Sequence, residues 1–149
     1  MILDFAIPKG RMKVNLEEFA AGAVNRKVRK LFQMYAQSGP EPEEVRKMQE
    51  YLKEQAEMQG AESLRNQRAF EQEDQKFKSQ EMEYRRLRKR KPFITPNEKE
   101  RWKAEKANVR KQALAARSAR YEYQLGAARA QRKAEKYFAV LEMSKEIFS

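Results

Sequence analysis

Two long runs without a strong helix breaker constrain this chain more than any other feature. Residues 43 to 91 contain only Gly60, residues 97 to 149 contain only Gly126, and between the two runs stand Pro92 and Pro96. Proline fixes φ, lacks an amide donor and pushes the residue before it toward extended backbone, so residues 92–95 read as an extended corner. The segment Pro40-Glu41-Pro42-Glu43-Glu44 has the rigid φ and the negative charge suited to a first helical turn. Thr95-Pro96-Asn97-Glu98 offers an N-cap, a proline at the first helical position and a glutamate that closes a capping box. The pattern predicts a long acidic-to-basic helix over 40–91 and a long basic helix over 96–149 with an apolar C-terminal end.

A third helix is expected ahead of these. Asn15 stands as N-cap, Glu18 lies three residues on, and Val14 is placed to staple Phe19. From Leu16 through Phe19, Val24, Val28, Leu31 and Phe32 to Tyr35, apolar residues recur at helical intervals opposite Arg26, Lys27, Arg29 and Lys30. Gly39-Pro40 ends the pattern, which gives an amphipathic helix over 15–39 behind an N-terminal arm of residues 1–14. The arm's apolar stretch is too short, and too interrupted by Asp4 and Pro8, for a secretory signal.

Only 40% of the residues are hydrophobic, 37% are charged and mean hydropathy is −1.02. Those values argue against one sizeable core. The fold class that follows is all-α, an extended, non-globular arrangement of two or three long helices with a basic proline-marked corner. The stripes at 16–35 and 137–148 show no evident common core, so the isolated chain is expected to be helical but loosely packed, and ordered mainly in a complex. Candidate protein-contact residues are Phe19, Val24, Leu31 and Phe32 on the first stripe and Tyr137, Phe138 and Leu141 on the last. Phe70 and Phe77, with Tyr84, are spaced seven apart and form a narrow docking seam whose companion heptad positions are poorly filled.

Charge narrows the partner. The chain has 33 basic and 22 acidic residues, net +11. Residues 85–136 hold 18 basic against 5 acidic, whereas residues 41–83 hold 7 basic against 12 acidic. A polyphosphate backbone rewards such a concentrated field through counterion release. A lipid surface fits less well, because alanine rather than Leu, Phe or Trp lies between the charges, and no stretch approaches the ~20 apolar residues of a transmembrane helix. Absence of cysteine and histidine excludes disulfides, thiolate or imidazole metal sites and Ser/His or Cys/His nucleophiles. The five glycines are isolated, so no phosphate loop is present. No enzyme, cofactor or small-molecule substrate is expected. The candidate RNA-binding residues are Arg85, Arg86, Arg88, Lys89, Arg90, Lys91, Phe93, Arg101, Trp102, Lys103, Lys106, Arg110, Lys111, Arg117 and Arg120. Phe93 and Trp102 flank the corner, and either stack on unpaired bases or pack the two helices together.

The run Arg85-Arg86-Leu87-Arg88 with Phe93, Pro96, Glu100-Arg101 and a following Ala/Lys/Arg helix resembles the bacterial-type small-subunit ribosomal protein twenty-one family. The likeness covers residues 85–120; residues 15–39 would correspond to that family's N-terminal helix, with 40–84 inserted. Ile94-Thr95 stands where the family usually has a Glu-Lys pair, and Pro92 is extra. The resemblance implies contact with small-subunit ribosomal RNA and with neighbouring ribosomal proteins. By analogy with enlarged mitochondrial ribosomal proteins, it also implies a place on the ribosome in the mitochondrial matrix. The residues themselves leave open an alternative, a helical accessory or assembly subunit of a large protein complex without RNA contact.

Overall fold

The computed structural model describes residues 2–7, 10–15, 26–90 and 95–149. The expectations at Phe19, Val24, Lys91 and Phe93, and the extended corner itself, lie outside the described residues. Among the described residues, two strands, β1 (Ile2–Ile7) and β2 (Gly10–Asn15), precede three helices, α1 (Arg26–Gln37), α2 (Pro42–Lys89) and α3 (Pro96–Ile147). The helical class expected from the breaker-free runs holds, and both long helices begin at the predicted prolines.

The N-terminal arm differs from expectation. It is an antiparallel hairpin in which Leu3 pairs with Val14, Asp4 with Lys13 and Phe5 with Met12. Asn15 is the last residue of β2, pairing with Ile2; the rest of the helix start expected over residues 15–19 lies outside the described residues. The period-two alternation of ILDFAI and GRMKVN sets this register.

The chain divides into two compact units, residues 1–63 with 129–149 and residues 64–128. In the first unit, Val28, Phe32 and Tyr35 of α1, Met48, Leu52 and Ala56 of α2, and Tyr137, Val140 and Leu141 of α3 form one buried cluster. The Phe148 ring meets Phe32 and Tyr35 edge-on, with centroids 6.2 and 5.6 Å apart. The two stripes expected to lack a common core therefore share one, with Met48 and Leu52 completing it. Periodicity identified both faces but not that each was the other's partner. Leu31 is half-buried against the same cluster, whereas Phe138 stays 45% exposed and is the one member of the C-terminal group outside it. Ser144 is fully buried at no polar cost, because its hydroxyl donates to the Leu141 carbonyl at 2.7 Å.

Gly39 ends α1 with φ +67°, and the Gly39 amide donates to the Ala36 carbonyl at 3.2 Å. Its left-handed backbone disfavours any L side chain, whereas Gly60 lies inside α2 with open space around its Cα. Opposite responses are expected in thermal or urea unfolding: Gly39→Ala costs about 1 kcal/mol, while Gly60→Ala adds about 1 kcal/mol.

The second unit is a helical hairpin. Leu87 is joined to Trp102, Asp74 and Phe77 to Arg120, and Asn66 approaches Gly126, so α2 and α3 run antiparallel through it. Along α2, Asn66, Phe70, Glu73, Phe77, Gln80, Tyr84 and Leu87 recur at alternating steps of four and three, and all are half-buried or buried. Along α3, Trp102, Lys106, Val109, Ala113, Ala116, Arg120, Tyr123 and Ala127 continue the same heptad rule, with only Tyr123 exposed. The sparse aromatic seam of α2 is thus covered by the chain's own α3, where alanines allow close approach. Gly126 belongs to this logic: a Cβ there would lie 3.2 Å from the Asn66 side-chain amide.

Candidate nucleic-acid interface

The turn end of the hairpin gathers the chain's densest charge. Residues 85–103 contain nine basic and two acidic side chains, net +7. Arg86, Arg88 and Lys89 occupy the last turn of α2, where positive charge also offsets the free carbonyls and the helix dipole. On the other strand of the hairpin, the Glu98 amide donates to the Thr95 hydroxyl at 3.2 Å, the N-cap expected from the sequence. One contact holds the two ends together: the Trp102 indole N–H donates to the Leu87 carbonyl at 2.5 Å. Lys106 places its ammonium 4.1 Å from the centre of the same ring, a cation–π contact worth about 0.5–1 kcal/mol near solvent. Of the two roles weighed for Trp102, helix packing is the one the ring performs.

The remaining candidates separate by what already holds them. Arg85 pairs with Glu81 at 2.8 Å, Arg86 donates through Nε to Glu83 at 3.0 Å, and Lys103 lies 3.7 Å from Glu100. These are exposed pairs within one helix, where solvent screening leaves little net stabilisation, and a phosphate competes with them readily. Among the described residues, Arg88, Lys89, Arg90 and Arg101 are exposed and make no ion pair, and Lys99, which the sequence reading passed over, joins them. Its signal was its position two residues before Arg101 in the first turns of a capped helix. Arg110, Lys111 and Arg117 are exposed further along α3.

Arg120 is elsewhere. It is half-buried in the hairpin seam, donating to Asp74 at 2.7 Å with its guanidinium 4.4 Å from the Phe77 ring centre. A surface cation was expected; an internal clamp is found, because the heptad carries position 120 onto the face turned toward α2. Phe70 and Phe77, expected to contact a partner protein, likewise lie half-buried in this seam.

Hydrogen bonds from Arg120 and then Lys78 hold the Asp74 carboxyl below the usual aspartate range. The stability it contributes is therefore present above the unfolded-state pKa and lost as pH falls through the lower folded value. The unfolding midpoint should fall on acidification below about pH 4, and Asp74→Asn should lower the midpoint at neutral pH while flattening that part of the acid limb. Equal acid limbs for the two proteins would show that the pair does not contribute. Glu43 and Glu83 are displaced in the same direction by hydrogen bonds from Arg46 and Arg86, so the comparison must be made as a difference from the unmodified chain.

No family model, curated protein or solved structure matches the chain. The site is therefore read from its own geometry. No helix among the described residues is long and apolar enough to cross a membrane. What the tip offers chemically is a set of exposed cations, without ion pairs among the described residues, at two helix ends joined by the Trp102–Leu87 hydrogen bond.

Proposed function

We propose that the chain is a non-catalytic RNA-binding protein whose hairpin tip lies against phosphates. The observation that carries this is the cluster of exposed cations without ion pairs among the described residues, Arg88 and Lys89 at the end of α2 and Arg90 just after it, with Lys99 and Arg101 on α3. Arg85, Arg86 and Lys103 stand beside them in weak pairs that phosphate displaces. The finer assignment rests on the resemblance of residues 85–120 to the small-subunit ribosomal protein twenty-one family. It makes the chain a structural component of a ribosomal small subunit in the mitochondrial matrix, touching ribosomal RNA and neighbouring ribosomal proteins.

Arg85 and Arg86 already lie on carboxylates, and this favours one competing reading, a helical accessory or assembly subunit that grips an acidic protein surface. Titrating the purified chain with a structured RNA at several salt concentrations separates the two. A log–log slope of several units supports RNA; absent binding, or binding insensitive to salt, overturns it in favour of the accessory subunit.

A further inference from the structure

One exposed line of α3 lies outside the heptad seam. Arg110, Leu114, Arg117 and Tyr121 follow one another at steps of four, three and four, so they form a line along the helix beside the seam. Leu114 is 50% and Tyr121 58% exposed, and both arginines are exposed. Among the described residues neither arginine makes an ion pair. Arginine and tyrosine around a leucine are the composition of a protein contact, since a phosphate backbone gains nothing from covering the Leu114 side chain.

The chain itself supplies a surface of opposite character. On α2, Glu54 and Glu57 are exposed and, among the described residues, free of ion pairs; beside them Met58 is 59% exposed. Lys53 is the one opposing charge on that turn. Each surface thus has two free charges of one sign next to a large apolar side chain, and the signs are complementary.

We propose that the Arg110–Tyr121 stripe of α3 docks on the Glu54–Met58 face of α2 in a second copy of the chain. Complementary charge sets which faces meet, and burial of Leu114, Tyr121 and Met58 supplies the attraction. The net +11 of each copy opposes approach, but at physiological salt the Debye length is about 8 Å, so distant like charges are screened while pairs in contact persist.

Sedimentation velocity on the nuclease-treated full chain, from micromolar to submillimolar concentration, tests this. Concentration-dependent self-association is expected. Arg110→Glu with Arg117→Glu, or separately Glu54→Arg with Glu57→Arg, should weaken it by about tenfold or more. All four positions are exposed on helices, and circular dichroism checks that helicity is retained. Mixing the two charge-reversed variants places acidic α3 stripes against basic α2 faces, and should restore association. A chain that stays monomeric throughout overturns the proposal, as does association indifferent to both reversals or a mixture that fails to associate. If the chain is monomeric and the α3 reversal instead weakens RNA binding, the stripe belongs to the nucleic-acid surface.

Discussion

Alanine at Arg88, Lys89, Arg90 and Arg101 together is expected to make the RNA-binding slope shallower by about 3 to 4 units, and to weaken affinity roughly a thousandfold near 0.1 M salt. Each neutralised phosphate contributes about 0.9 to the slope on a duplex, and the four cations lie exposed without ion pairs among the described residues. Loss should be uniform across sequences, because contacts to phosphate carry no base information. Arg120→Ala is the informative control. Its guanidinium is committed to Asp74 and Phe77, so it should lower stability while leaving the salt slope unchanged. A slope that drops equally for Arg120→Ala would mean that binding depends on total charge and not on the tip.

The second large effect concerns the first unit. Leu52 is fully buried in the cluster that joins α1, α2 and α3, and Leu52→Ala should cost about 2–5 kcal/mol as the lost transfer energy and the cavity add together. The wild-type chain should unfold cooperatively, contrary to the loose packing that composition suggested, because Val28, Phe32 and Tyr35 meet Tyr137, Val140 and Leu141 in one place. Urea titration followed by far-ultraviolet circular dichroism reads both quantities. A gradual transition that Leu52→Ala does not move would show that the shared core does not form in the free protein.

Local signals were legible where a residue acts on its immediate neighbours. Pro42 and Pro96 mark the starts of the long helices, Thr95 caps α3, and Gly39 follows the end of α1 with positive φ. What could not be read were pairings across long stretches of chain. The apolar faces at 28–35 and 137–148 were visible as faces, but nothing in a 3.6-residue period names the surface that will cover it. Arg120 resembled its exposed neighbours because its partner, Asp74, lies 46 residues away. The aromatic seam at Phe70, Phe77 and Tyr84 reads as half-empty because its companion heptad positions on α2 include Asn66, Glu73 and Gln80, while the facing positions on α3 include Ala113, Ala116 and Ala127, which scarcely register as an apolar stripe yet allow two helices to approach. The β-hairpin was missed for a related reason: Asp4 and Lys13 read as charges in an arm until their antiparallel register sets them opposite one another.

The alanine seam has a consequence for motion. Ala113, Ala116 and Ala127 each bury only a methyl group, so they add little apolar area to hold the α2 and α3 segments of the second unit together. Amide protons along residues 64–128 should therefore exchange into deuterated water sooner than those around Leu52 and Val140. A bound polyanion bridging the two helix ends would slow that exchange from the tip inward.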